Sequence, residues 1–249
     1  MSSLRMSLSA ALFCFALFAL FACGVPRADT QGGRHASAPR PSPTQLPAAK
    51  PVYESPLLER LVAAAHERTT HEVEYDPSYF KLDYPNGDVP AEKGVCTDEV
   101  IRSYRALGID LQKEVHEDMA ANFARYPTKF GLQSTDTNID HRRVPNLRVF
   151  FERKGKSLPI TAEAADYRPG DIVTWDLNAS QTHIGIVVDA PSATPGRYMI
   201  MHNIGQGPKI EDILFAWKIT GHYRYTGPAP PAPQPANAPA RSPSRRRAR

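Results

Sequence analysis

Three residues of the 249-residue chain have the types and order that thiol chemistry requires: Cys96, His183 and His202. A thiol attacks a carbonyl carbon as its thiolate, so its pKa must fall from about 8.5. The positive end of a helix can lower it, and so can a nearby imidazole. Cys96 follows Gly94-Val95 and opens the run CTDEVIRSYRALG, residues 96–108. In that run Val100, Ile101, Tyr104 and Leu107 recur at helical spacing, and Gly108 supplies a stop. The sulfur is therefore expected at a helix N-terminus, where unpaired backbone N–H groups also offer an oxyanion site. His183 opens a strand after the polar loop 178–182, and His202 ends the next strand. Adjacent antiparallel strands could bring the two imidazoles together, one as base and the other orienting it and fixing its tautomer. Asn203 could orient the base instead. The plain alternatives are a buried, inert thiol and strand-end histidines bonded to backbone.

The remaining chemistry-bearing residues point less sharply. Asp98 could be a substrate contact or a solvated first-turn carboxylate favoured by the helix dipole. Residues 140–143, Asp-His-Arg-Arg, could bind an anion, but a surface charge cluster capping the following helix is the simpler reading. His116-Glu117-Asp118 has metal-ligand types, yet neighbouring helical positions point apart. No HExxH or paired-cysteine pattern is present, so neither metal nor cofactor is expected.

The elements that must position these residues follow from periodicity. Ser55 caps and Pro56 opens a helix whose apolar face is Leu57, Leu58, Leu61, Val62 and Ala65. A loop rich in Asp, Pro and Tyr runs from 76 to 95, with a turn at Pro85-Asn86-Gly87. After the Cys96 helix, a third is expected over 111–124 and a fourth from about Pro145 to Gly155. The period then changes to two, and strands are expected at 171–175, 183–189, 197–203 and 219–225. Helices first and strands later imply an α+β domain with an antiparallel sheet.

Four stretches in order, GVCTDEVIRSYRALGI, PGDIVTWDL, THIGIVVD and MIMHNIG, resemble the core of the NlpC-like cell-wall cysteine peptidases. The wording of LDYPNGDVPAEKGVCTD, TNIDHRRVPNL and HNIGQGP is similar to the uncharacterised YijF-like bacterial family, domain of unknown function 1287. The resemblance covers about Leu57 to Tyr225. It implies a papain-like fold with helices packed on a C-terminal antiparallel sheet. It implies Cys96 as nucleophile, His183 as general base and His202 as the orienting residue. It implies cleavage of an amide in peptidoglycan stem peptides or a related envelope substrate. Tyr84, twelve residues before Cys96, matches a tyrosine that lines the site in such enzymes. The chain has Val95-Cys96-Thr97-Asp98 where those enzymes have Asp-Cys-Ser-Gly, which puts their usual substrate-amine contact in doubt; Asp98 is the candidate replacement. Two rivals use the same domain: a wall-binding module with a degenerate site, and an acyltransferase or thioesterase. The permuted lipid-acting relatives place histidine before cysteine, the reverse of the order here.

The ends of the chain give its address. Arg5 precedes an apolar run at 7–22, too short for an ordinary membrane span and suited to an export signal. Leu20-Phe21-Ala22-Cys23-Gly24 resembles a bacterial lipobox, with Cys23 as the lipid-modified thiol, although Phe21 is bulky for that position. Cleavage near Ala22 or Ala28, or an uncleaved anchor, are the alternatives. An exported, membrane-anchored lipoprotein of the periplasm or cell envelope is expected. Residues 23–51 and 227–249 are rich in Pro, Ala and Ser and read as a disordered tether and tail around a domain at 52–226. The formal charge of the whole chain is +4, but residues 52–226 hold 20 Lys and Arg against 25 Asp and Glu, a net −5. A nucleic-acid-binding core is therefore disfavoured, and a monomer is expected. Cys14 lies in the signal and Cys23 is lipidated or removed, so Cys96 has no partner for a disulfide within the domain.

Overall fold

The computed structural model describes residues 51–128 and 131–228. The export signal, Cys23, most of the tether and most of the tail lie outside the described residues. Among the described residues no helix is long and apolar enough to cross a membrane.

Helix α1, Pro56–Arg68, begins where Ser55 adopts an extended conformation and its hydroxyl accepts the Leu58 N–H at 3.4 Å. It buries Leu58, Leu61, Val62 and Ala65. Each large aliphatic side chain removed from water contributes about 1.5–3 kcal/mol, so this stripe fixes the helix against the core. Two short parallel strands, β1 (Glu74–Tyr75) and β2 (Lys93–Gly94), pair across the intervening loop. Strand β2 leads directly into α2, Cys96–Arg105. The chain turns at Gly108, whose φ of 81° suits glycine, and continues into α3, Leu111–Ala121, capped by Asp110 through the Gln112 N–H at 3.0 Å. Helix α4, Val144–Lys154, buries Leu147, Phe150 and Phe151.

The C-terminal half is a six-stranded sheet with every pairing antiparallel. In chain order its strands are β3 (Lys156–Ser157), β4 (Ile172–Asp176), β5 (Thr182–Pro191), β6 (Tyr198–Asn203), β7 (Pro208–Glu211) and β8 (Lys218–Arg224). Their spatial order is β3-β8-β4-β5-β6-β7. Alternation along β5 sends Ile184, Ile186 and Val188 into the main core with α1, α2 and α4. Val187 faces a second core with Trp175, Val173, Ile200, Tyr167 and Leu214. The chain is thus α+β, with helices packed on one face of an antiparallel sheet, as its periodicities imply. The four expected strands lie within a residue or two of their expected places. The short β1, β2, β3 and β7 were missed, because two to four residues carry too few alternations to register as a period.

Helix α2 departs from the expected amphipathic pattern. Every residue from Cys96 to Tyr104 is buried, including Asp98, Glu99, Arg102 and Ser103. The buried charges are paired. Arg68 Nε lies 2.8 Å from Glu99 Oε2, Arg102 Nε lies 3.0 Å from Asp88 Oδ2, and Arg142 holds Asp98. Pairing is what makes burial of such groups tolerable, and it draws segments distant in sequence around this helix.

Candidate active site

Cys96 is the first residue of α2, with extended Val95 as its N-cap. The Asp98 carboxylate folds back to accept the Val95 N–H at 2.7 Å, closing the first turn. Arg142 grips the same carboxylate from the far side, Nε to Oδ1 at 2.8 Å and Nη2 to Oδ2 at 3.0 Å. Its remaining donors reach the carbonyls of Ser78 (2.9 Å) and Asp76 (3.5 Å), and its Cζ lies over the Phe80 ring, 5.4 Å from the centroid. Thr97 donates its hydroxyl to the Arg142 carbonyl at 3.1 Å. The helix start is therefore held by a buried ion pair that also ties down the loop after β1.

The Cys96 side chain is only 5% exposed, yet it forms part of the wall of a cavity of about 220 Å³. Tyr75, Thr97, Arg142, Val144 and Thr182 are among the other lining residues. Burial pushes the thiol up to about 12. The backbone N–H groups of Ile184, Thr97 and Cys96 face the sulfur and pull against that rise, while the Asp98 carboxylate adds to it. Burial therefore outweighs the helix terminus, and the thiol shifts opposite to the direction expected from its position. A helix terminus supplies roughly 0.3–2 kcal/mol, less than several pKa units of desolvation.

His183 stands opposite Trp175 in the β4–β5 ladder. Its ring packs near Trp175 and Trp217, with centroids 5.8 and 5.9 Å away. His183 Nε2 lies 3.0 Å from His202 Nδ1, and His202 Nε2 lies 2.9 Å from Glu211 Oε2. Three side chains on successive strands β5, β6 and β7 thus form one hydrogen-bonded line. Glycine at 185 permits the approach: a Cβ there would sit 2.5 Å from Ile200 Cγ2 and 2.8 Å from the Met201 carbonyl oxygen. Among the described residues no hydrogen bond joins the Cys96 sulfur to either imidazole. The sulfur meets β5 at the N–H of Ile184, one residue past His183.

Burial, followed by the neighbouring His202, lowers His183 to about 3. Burial also lowers His202, against the opposing pull of Glu211. His141 is 2% exposed and is lowered to about 3 by burial, with Arg142 and Arg105 adding to the effect. A histidine with a depressed folded pKa contributes stability that is complete above its unfolded value near 6.5 and is lost as pH falls from there toward 3. Buried Glu99, Glu114 and Asp140 are raised and act in the opposite direction. Acidification from pH 6.5 to 4 is therefore expected to cost the wild type more melting temperature than it costs His141→Gln. Equal slopes in the two proteins, measured by calorimetry across that range, would show that His141 is not held neutral by the fold.

The family described as a domain of unknown function, DUF1287, matches residues 62–225. The chain belongs to this family. It is also similar to the uncharacterized protein YijF of Escherichia coli strain K12, 54% identical over 151 residues that cover 61% of this chain and 73% of that relative. The match to DUF1287 runs from within α1 to the residue after β8, and so contains Cys96, both histidines, Glu211 and the whole cavity lining.

Within this family domain the structure brings Cys96, His183 and His202 to one end of the sheet and redistributes the rest. Tyr84 is 40% exposed and packs edge-on against His116 with centroids 5.2 Å apart, away from the cavity. The tyrosine that lines the cavity is Tyr75, raised to about 12 by burial, with Cys96 and Asp98 as further causes. Twelve residues of loop fix no distance, whereas the pairing of Tyr75 with Gly94 does. Asp98 is neither a solvated residue nor a free substrate contact, since Arg142 and Val95 occupy its oxygens. Asn203 is buried; its Oδ1 accepts the Gly205 N–H at 3.1 Å, and its Nδ2 has no partner. The orienting contact to His183 comes from His202 instead. Asp140, His141 and Arg142 are buried rather than forming a surface cluster, and Arg142 and Arg143 line the cavity. Glu211 was not foreseen. It sits on a four-residue strand whose pairing with β6 no local pattern announces.

Proposed function

We propose that the chain is an exported cysteine hydrolase with a papain-like fold, placed in the NlpC-like superfamily, which cleaves an amide in peptidoglycan stem peptides or a related envelope substrate. The observation that carries this reading is the His183–His202 contact of 3.0 Å on the strand that also meets the Cys96 sulfur at Ile184. A substrate carbonyl entering the cavity would meet the sulfur and the N–H groups at the start of α2 together. Cys96 would pass its proton to His183 as the S–C bond forms. His183 would return that proton to the departing amine as the C–N bond breaks, leaving a thioester. Water would then resolve it, giving one proton to His183 and its hydroxyl to the acyl carbon; as the C–S bond breaks, the Cys96 sulfur takes that proton back from His183 and the carboxylic acid leaves. With burial raising the thiol and lowering the imidazole, proton transfer would accompany attack rather than precede it. Thiol–imidazole hydrogen bonds are often long or absent before substrate enters, which accommodates the missing direct contact. Lipid attachment at Cys23 would hold the enzyme at the membrane beside its polymer.

The test is digestion of purified peptidoglycan by the wild type and by Cys96→Ala, followed by mass analysis of the fragments. Wild type is expected to release fragments with a new amine and a new carboxylate, and Cys96→Ala none above background. Equal release by both would remove Cys96 as the nucleophile.

One observation favours a second reading, a wall-binding module with a degenerate site: the buried thiol, raised to about 12, makes no hydrogen bond to an imidazole. Slow alkylation at neutral pH is expected under both readings. Hydrolysis separates them, since the module would sediment with peptidoglycan and cleave nothing.

A further inference from the structure

The last member of the line, Glu211, determines which nitrogen of each imidazole carries a hydrogen. An ionised carboxylate can only accept hydrogen bonds. With Glu211 Oε2 2.9 Å from His202 Nε2, the hydrogen on His202 must lie on Nε2. A neutral imidazole carries one hydrogen, so His202 Nδ1 keeps its lone pair and becomes an acceptor. The group 3.0 Å from that lone pair is His183 Nε2, which must then carry the hydrogen. His183 Nδ1 is left with its lone pair, and it has no side-chain hydrogen bond among the described residues.

We propose that Glu211 is a positioning residue that acts through two imidazoles to leave His183 Nδ1 as the site's base. The inference deepens the hydrolase reading and rests on it for the role of His183. Without an acceptor at Glu211, His202 can carry its hydrogen on Nδ1. His183 Nε2 then becomes the acceptor of that bond, and the hydrogen of His183 moves to Nδ1, where a base needs a lone pair. Both imidazoles are buried while the Glu211 side chain is 44% exposed at the edge of the sheet, so replacing it leaves the core packing untouched.

Nitrogen-15 two-bond correlation spectra of the histidines in the full chain read the tautomers directly. Wild type is expected to show Nε2–H at both His183 and His202. Glu211→Ala is expected to show a mixture at both rings and a turnover lowered by about tenfold or more at unchanged KM. Glu211→Gln, which keeps an acceptor oxygen, is expected to hold more of the wild-type tautomer than Glu211→Ala. Nδ1–H at His183 in the wild type would overturn the proposal, as would tautomers in Glu211→Ala identical to wild type. The spectra need no substrate. Wild-type tautomers as described in a protein that cleaves nothing support the relay and remove only the hydrolase reading. A cleaving enzyme whose tautomers ignore Glu211 removes the relay alone.

Discussion

Glutamine at His183 is expected to lower turnover of a cleavable envelope amide by about 10²–10⁴-fold, the usual contribution of a positioned general base. Glutamine keeps much of the imidazole's volume between Trp175 and Trp217 and can still hydrogen-bond His202, so the melting temperature should move little. What it lacks is a nitrogen that can take the thiol proton at neutral pH. The loss should be large because the thiol starts at a pKa of about 12, where very little of it is ionised without help. A thiol with a low pKa of its own would depend on the histidine far less. The measurement is steady-state kinetics on the fragment released from peptidoglycan, with kcat and KM separated. A fall confined to KM would mean that His183 contacts substrate rather than accepting the proton, and unchanged kinetics would dismiss it as the base.

Alanine at Arg142 is expected to destabilise the domain by about 3–5 kcal/mol, the cost of leaving a buried charge without its partner. The Asp98 carboxylate is 2% exposed and would keep only the Val95 N–H as a donor. The carbonyls of Ser78 and Asp76 would lose their donor at the same time, and Phe80 its covering plane. Urea unfolding of the variant and of Asp98→Asn checks this. Asp98→Asn should be milder, because an amide oxygen can still accept the Val95 N–H, and the Arg142 charge it strands keeps the Ser78 and Asp76 carbonyls as acceptors. A loss below about 1 kcal/mol in Arg142→Ala would mean that water or another cation reaches Asp98, and that the clamp does not hold the start of α2.

The two variants act on different halves of the same site. His183 belongs to the sheet, whose close strand approach at Gly185 puts two imidazoles in contact. Arg142 belongs to the segment before α4 and sets where the α2 N-terminus, and hence the sulfur, can lie. Losing either should reduce hydrolysis, but only Arg142→Ala should also lower stability substantially. That contrast separates a chemical role from a structural one without any assumption about the substrate.

What could be read from the sequence was local. The Ser55-Pro56 helix start, the helix opening at Cys96 and the alternating runs that became β4, β5, β6 and β8 each depend on residues within a few positions of one another. Periodicity and capping act over that range, and the strand order of His183 and His202 made their contact foreseeable. What only the tertiary structure decided was the state of the polar groups. Asp98 and Arg142 are 44 residues apart, and neither carries a local sign that it will be buried with the other. Tyr75 rather than Tyr84 reaches the cavity because β1 pairs with β2, a contact of two residues. Glu211 joins the histidines because β7 closes the edge of the sheet beside β6. The thiol lies high and His183 low because packing from several segments removes water from both, and desolvation depends on the whole enclosure rather than on sequence neighbours.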